Sequence, residues 1–164
     1  MAYVSKELKA EIMADIKQAS KDLGIKFVAT SKVTNYSTIT VNIKSCAVDL
    51  KANLIETLEE RIRKIESREV PHIGLEALNN LTEKLNQNRE VRSEDDYFQG
   101  LYFNEDDYKN YFTGDALKVV EAVYKALTKN YYDKSDRMTD YFNTAYYYNL
   151  HIGDNKGGFI HKAA

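Results

Sequence analysis

The sequence predicts an α+β domain in which a small antiparallel sheet, made of an early hairpin and one C-terminal strand, packs against several helices. Three observations predict it. Apolar residues recur at helical spacing in four segments, two short segments near the start alternate apolar with polar residues, and a Tyr-rich segment near the end alternates again. The order is therefore helix, strand, strand, helices, strand, and helices laid over a small sheet bury those apolar faces most economically. At 164 residues the chain is one domain's worth, residues 1–164, and long enough to bury a sizeable core.

Each element has its own signal. In residues 5–23, Leu8, Ile12, Ile16 and Ala19 form one helical stripe, Ser5 can cap the start, and Gly24 stands where a helix ends on a left-handed residue. Residues 25–31 read as a strand with Ile25, Phe27 and Ala29 on one face. Residues 37–45 repeat the pattern more cleanly, with Ile39, Val41 and Ile43 alternating with Thr38, Thr40, Asn42 and Lys44. Lys32 to Tyr36, polar in composition, reads as the hairpin loop between them. Further helices follow over residues 50–67 (Leu54, Leu58, Ile62, Ile65), 75–87 (Leu75, Leu78, Leu81, Leu85) and 114–131 (Leu117, Val120, Val123, Leu127), with a break at Pro71 and short helical pieces over 94–112. Thr144 to Ile152 reads as the returning strand, with Tyr146, Tyr148, Leu150 and Ile152 on one face and Tyr147, Asn149 and His151 on the other.

Composition narrows the classes of function. Lys plus Arg number 23 and Asp plus Glu 25, a net charge of −2, which argues against a strongly basic nucleic-acid binder and against an acidic disordered tail. A single cysteine, Cys46, allows no internal disulfide and fits a reducing cytoplasm; beside no histidine in sequence, it reads as a buried, passive thiol. No N-terminal stretch has the shape of a secretory signal and no apolar run is long enough for a membrane span, so no membrane partner is expected.

The net charge conceals an asymmetry: residues 1–92 carry +2 and residues 93–164 carry −4. Glu94, Asp95, Asp96, Glu105, Asp106 and Asp107 fall within sixteen residues that hold no base, interleaved with Tyr97, Phe98, Tyr102, Phe103 and Tyr108. Such a stretch can occupy a basic groove on a partner, with the aromatics as anchors. It can equally be two helix first turns capped by Ser93 and Asn104, where acidic side chains complement the helix dipole.

A second constellation joins Arg61, Arg63 and Lys64 on the second helix with Tyr146, Tyr147 and Tyr148 on the last strand. Exposed aromatics on a sheet can stack unpaired bases while basic groups meet phosphate. The alternatives are ion pairs at helical spacing with Glu59, Glu60 and Glu66, and tyrosines serving as the wall between core and water. Lys134, Arg137, Lys156 and Lys162 give the strand only a thin basic flank. His72, His151 and His161 have no ligand-spaced partners, Gly153, Gly157 and Gly158 do not form a phosphate loop, and hydrolase, zinc-helix and kinase signatures are lacking. No metal or cofactor is expected, and the remaining catalytic possibility is a site assembled around His151 and Asp140.

Two stretches carry a family resemblance. Gly24-Ile25-Lys26-Phe27-Val28-Ala29-Thr30-Ser31, followed by Ser37-Thr38-Ile39-Thr40-Val41-Asn42-Ile43, resembles a paired-strand pattern G-(V/I)-K-F-S-V-x-S … I-x-V-x-(W/I). Ser135-Asp136-Arg137-Met138-Thr139-Asp140-Tyr141-Phe142, with Tyr146-Tyr147-Tyr148-Asn149-Leu150-His151-Ile152-Gly153, resembles the ending S-D-x-M-(T/V)-D-Y-F … Y-Y-x-x-(I/L)-x-I-G of the same group. The group is one of the large polyvalent protein-associated domains, small α+β modules of phages, plasmids and other mobile elements. The resemblance brings no catalytic residue. It implies a protein that acts on a host soon after entry, as host-defence antagonists do.

The expectation is thus a non-catalytic binding protein of a phage or mobile element. It would work in the host cytoplasm and occupy a nucleic-acid-handling surface of a host protein or protein–nucleic-acid complex, such as a CRISPR effector or restriction enzyme, with 94–108 as the contact. The competing expectation is a nucleic-acid-binding accessory module using the basic helix and the Tyr-rich strand.

Overall fold

The computed structural model describes residues 1–68, 75–87, 91–92, 108–136, 138, 143–153 and 158–162. Helix α1 spans Lys6–Leu23. The Leu8 N–H donates to Ser5 Oγ at 3.0 Å, and Gly24 ends the helix in the left-handed region at φ 66°. Strands β1 (Phe27–Thr34) and β2 (Thr38–Cys46) form the hairpin, α2 covers Leu50–Glu66 and α3 covers Leu75–Asn86. A two-residue strand β3 (Val91–Arg92), a 3-10 turn at Tyr108–Asn110, helix α4 (Gly114–Thr128), and strands β4 (Tyr147–Ile152) and β5 (Ile160–His161) complete the order.

The hairpin is longer than its composition suggests. Residues 32–34 belong to β1, and the chain reverses through Asn35 and Tyr36, both left-handed at φ 52° and 60°. Lys32 and Thr34 flank Val33 in strict alternation, so they extend the ladder instead of the loop. The register steps from Val28–Ser45 to Ala29–Ile43, passing over Lys44, so the extra residue of this bulge lies in β2.

The architecture is α+β as expected, but the sheet is mixed and not purely antiparallel. Its order is β1-β2-β4-β3, with β5 beside the end of β2. β1 pairs antiparallel with β2, whereas β4 pairs parallel with β2, Val41 opposite Leu150 and Ile43 opposite Ile152. The reason is the connection: the chain leaves β2, runs through the helices and returns as a crossover, which suits parallel pairing. The side-chain period of two is the same in either direction, so alternation along the strand does not encode which way it runs.

One apolar core holds the molecule together. Ile39, Val41 and Ile43 of β2 and Leu150 and Ile152 of β4 line the covered face of the sheet and are inaccessible to solvent. Burying each such side chain contributes roughly 1.5–3 kcal/mol relative to leaving it in water. α4 is the most enclosed helix, with Ala116, Val119, Val120, Val123, Tyr124, Ala126 and Leu127 buried. α1 lies beside it through Ile12 and Ile16. Lys129 just beyond α4 reaches both Glu11 (3.2 Å) and Asp15 (3.0 Å) of α1. α2 contributes Leu50, Leu54, Leu58 and Ile65, and α3 contributes Leu78.

The C-terminal strands close on each other. Gly153 at φ 82° gives its N–H to the Ile43 carbonyl, and a Cβ there would lie 2.7 Å from the Gly158 carbonyl carbon and the Phe159 nitrogen. The backbone can pass only because residue 153 has no side chain. β5 then takes up the edge of β2 that β4 leaves, with Ser45 opposite Ile160.

Candidate interaction surface

The sequence-predicted contact residues Glu94, Asp95, Asp96, Tyr97, Tyr102, Glu105, Asp106 and Asp107 lie outside the described residues. The two flanks of that stretch are fixed. On one side Val91 and Arg92 pair with Ile152 and His151 at the sheet edge. On the other, Tyr108 is buried and stacks on Tyr124 of α4, centroids 5.0 Å apart and planes 15° apart. Tyr108 is thus a core aromatic and not an exposed anchor, because its ring fills the space over α4.

The structure does not join the basic helix to a tyrosine platform. Arg61, Arg63 and Lys64 stand on the solvent side of α2. Lys64 pairs with Glu60 at 2.9 Å, and the Arg61 guanidinium lies over the Tyr111 ring at 5.4 Å. That pairing holds the exposed Glu60 carboxyl below its usual range. Just before β4, Tyr146 is buried, its hydroxyl donating to the Leu127 carbonyl at the end of α4. Burial pushes this phenol up to about 12. Tyr148 is half-buried, and both rings meet Tyr131 edge-on at 5.7 and 5.1 Å. Tyr147, pointing to the opposite face of the sheet by strand alternation, is the exposed member of the three.

Tyr147 is instead part of an aromatic end that spacing along the sequence does not reveal. Tyr3 is 58 %, Tyr36 79 %, Tyr132 46 % and Tyr147 52 % exposed. Backbone hydrogen bonds stitch their segments together. The Tyr3 N–H donates to the Ala145 carbonyl and the Ala145 N–H to the Tyr132 carbonyl; the Val4 N–H donates to Tyr36 and the Tyr147 N–H to Ser37. Four tyrosines from segments scattered over the whole chain therefore emerge from one end of the sheet. Lys134 adds a cation over the Tyr132 ring at 5.4 Å. One signal was available in the sequence: an aromatic at a hairpin tip, Tyr36, has nowhere to bury itself.

The chain matches no family model, no curated protein and no solved structure.

Cys46, Asp49 and His161 make their contacts within the fold. Cys46 is buried, as expected, and accepts the Val48 N–H at 3.4 Å, and desolvation raises its thiol above the ordinary value. Asp49 caps α2 by accepting the Ala52 N–H. It also lies 3.7 Å from His161, whose Nε2 is 2.9 Å from the Ala47 carbonyl. His151 is half-buried on the sheet face opposite the helices, in register with Asn42 and Arg92, while Asp140 is outside the described residues. Among the described residues no three His, Cys, Asp or Glu side chains gather as metal ligands would, and no helix is long and apolar enough to cross a membrane.

Proposed function

We propose that this chain is a non-catalytic binding protein of a phage or other mobile element. It works in the host cytoplasm and antagonises a defence complex, a CRISPR effector or restriction enzyme, by covering a surface that handles nucleic acid. The observation that carries the binding role is the end of the sheet where Tyr3, Tyr36, Tyr132 and Tyr147 stand exposed on stitched backbone. Tyrosines held this way offer large amphipathic contact area at small entropic cost, the chemistry of interface hot spots. The resemblance at the two strand regions supplies the mobile-element setting. The acidic stretch from Glu94 to Asp107 supplies charge that suits a basic groove.

The test is co-expression with a restriction or CRISPR system in a bacterial host, read as the efficiency with which a targeted plasmid transforms. The chain should raise that efficiency. Serine at Tyr36 and Tyr147 together, or charge reversal at Asp95, Asp96, Asp106 and Asp107, should return it to the defended level with circular dichroism unchanged. Defence that stays intact in the presence of the unaltered chain, across the systems tried, overturns the proposal. Full antagonism by both variants removes these surfaces from it.

A further inference from the structure

A second surface lies away from the tyrosines, along the edge of the sheet. β1 is the terminal strand of the sheet, paired with β2 on one side and with no strand on the other among the described residues. Alternate residues of such an edge turn their N–H and C=O groups outward, a template for another extended chain. Beside the first part of β1 runs an open groove of about 450 Å³. It is lined by Met13, Ile16, Lys17, Ser20 and Lys21 of α1 and by Phe27, Val28 and Ala29 of β1. Successive strand residues point to opposite faces, so a space that touches Phe27, Val28 and Ala29 alike lies along the strand's edge, not over one face.

The helix wall of this groove is built for it. α1 presents three sides. Ile12 and Ile16 enter the core, Glu11 and Asp15 are held by Lys129, and Met13, Lys17 and Lys21 turn to β1. Lys17 and Lys21 are exposed, and neither ammonium group has an acidic partner among the described residues. The nearby Asp22 accepts a hydrogen bond from the Gln18 amide at 2.8 Å. Ser20 fixes the distance between wall and edge, donating to the Ile25 carbonyl at 2.7 Å and accepting the Phe27 N–H at 3.4 Å. An apolar floor, two cations on the rim with no acidic partner among the described residues, and a strand edge whose Phe27 N–H is held by Ser20 thus converge on one slot.

The geometry points to a peptide-binding groove, in which an extended acidic-apolar segment of a partner protein adds as a strand to β1. Its apolar side chain settles on Met13, Ile16 and Phe27, and its flanking carboxylates meet Lys17 and Lys21. Strand addition supplies main-chain hydrogen bonds and the groove supplies side-chain selection. The volume accommodates a side chain or two of such a peptide. A second copy of this chain is the weaker occupant, because its β1, Phe27–Thr34, carries Lys32 and no acidic residue to meet Lys17 and Lys21. The inference is independent of the tyrosine end, which its variants leave untouched.

The test uses the full chain and a short fluorescein-labelled peptide alternating valine or leucine with glutamate. The same peptide with lysine for glutamate, and one N-methylated at alternate backbone positions, serve as comparisons. The acidic peptide should bind, more weakly as salt rises, and hydrogen exchange should slow in β1. Both comparison peptides should lose at least tenfold in affinity, as should the chain carrying Lys17→Glu and Lys21→Glu with unchanged circular dichroism. Lack of binding by the acidic peptide overturns the inference. So does equal affinity for the N-methylated peptide or for the double variant. A concentration-dependent dimer in sedimentation, dissolved by altering β1, assigns the edge to a second copy and also overturns it.

Discussion

At the scale of single residues, the clearest lesson is Tyr146. The same Tyr-Tyr-Tyr run contains a buried hydrogen-bonded ring, an exposed ring and a half-buried ring, and only their alternation at the entry to β4 separates them. Its hydroxyl satisfies a carbonyl in the last turn of α4, which would otherwise be left without a partner. Desolvation raises its phenol from the ordinary 10 to about 12, so the folded state favours the neutral form. The stabilisation is therefore complete below pH 10 and is lost as pH rises from there to about 12. Urea unfolding of the wild type should lose midpoint steeply across that window, and Tyr146→Phe should lose less. At neutral pH the variant should be weaker by about 1 kcal/mol. Parallel pH profiles for the two proteins would refute this account of Tyr146. Gly24 shows what local chemistry can disclose, since a glycine after a helical stripe already marks a left-handed cap. Gly153 shows the opposite. Its need for no Cβ comes from Gly158 and Phe159 passing beside it, and nothing in the residues around position 153 announces that approach.

At the scale of elements, helix signals are reliable because they are local, and their joints are not. α1, α2, α3 and α4 each begin within a residue of the predicted start, since periodicity and capping are set within a turn or two. The clamp between α2 and α4 escapes that logic. Asn53 Oδ1 accepts the Thr113 N–H at 3.0 Å, and its Nδ2 donates to Thr113 Oγ at 2.9 Å. Thr113 makes no side-chain cap of its own, so a residue of α2 holds the entrance of α4. Asn53→Ala should cost about 1–2 kcal/mol and raise hydrogen exchange in the first turn of α4 more than in its last. Uniform exchange along the helix would show that the clamp has no local role. Strand β1 illustrates the limit from the other side. Its polar outer face disguises residues 32–34 as loop, although Lys32 and Thr34 merely occupy the open side of a ladder.

At the scale of the whole molecule, β4 decides the fold. It pairs with β2 across about a hundred residues of intervening chain, Val41 against Leu150, and so couples the hairpin, the helices and the C-terminal segment into one core. Non-local pairing of this kind is reached late in folding and binds the parts into one cooperative unit. Leu150→Ala, at a position closed to solvent, should lower stability by about 2–5 kcal/mol. Far-UV circular dichroism, which follows the helices, and tyrosine fluorescence should both shift to the same earlier midpoint. If only the fluorescence shifted, the helices would be stable without the sheet. The two proposed surfaces belong to this scale too. The aromatic end assembles tyrosines from positions 3, 36, 132 and 147, and the groove assembles α1 with the edge of β1.

By itself the sequence determined the α+β class, the helices, the buried stripes of α1, α2 and α4 with Leu78 of α3 (the Leu81 and Leu85 side chains lie outside the described residues), the hairpin, the returning strand with its inward Leu150 and Ile152, and the buried Cys46. All of these follow from side-chain periodicity, caps and composition, which act over a few residues. The tertiary structure alone decided that β4 runs parallel to β2, that Tyr108 is interior, that four distant tyrosines share one end, and that β1 is an edge with a groove beside it. Strand direction, exposure and edge position depend on which segments become neighbours. That is fixed by how the helices bury their stripes together on one face of the sheet, a property of the whole chain and of no stretch within it.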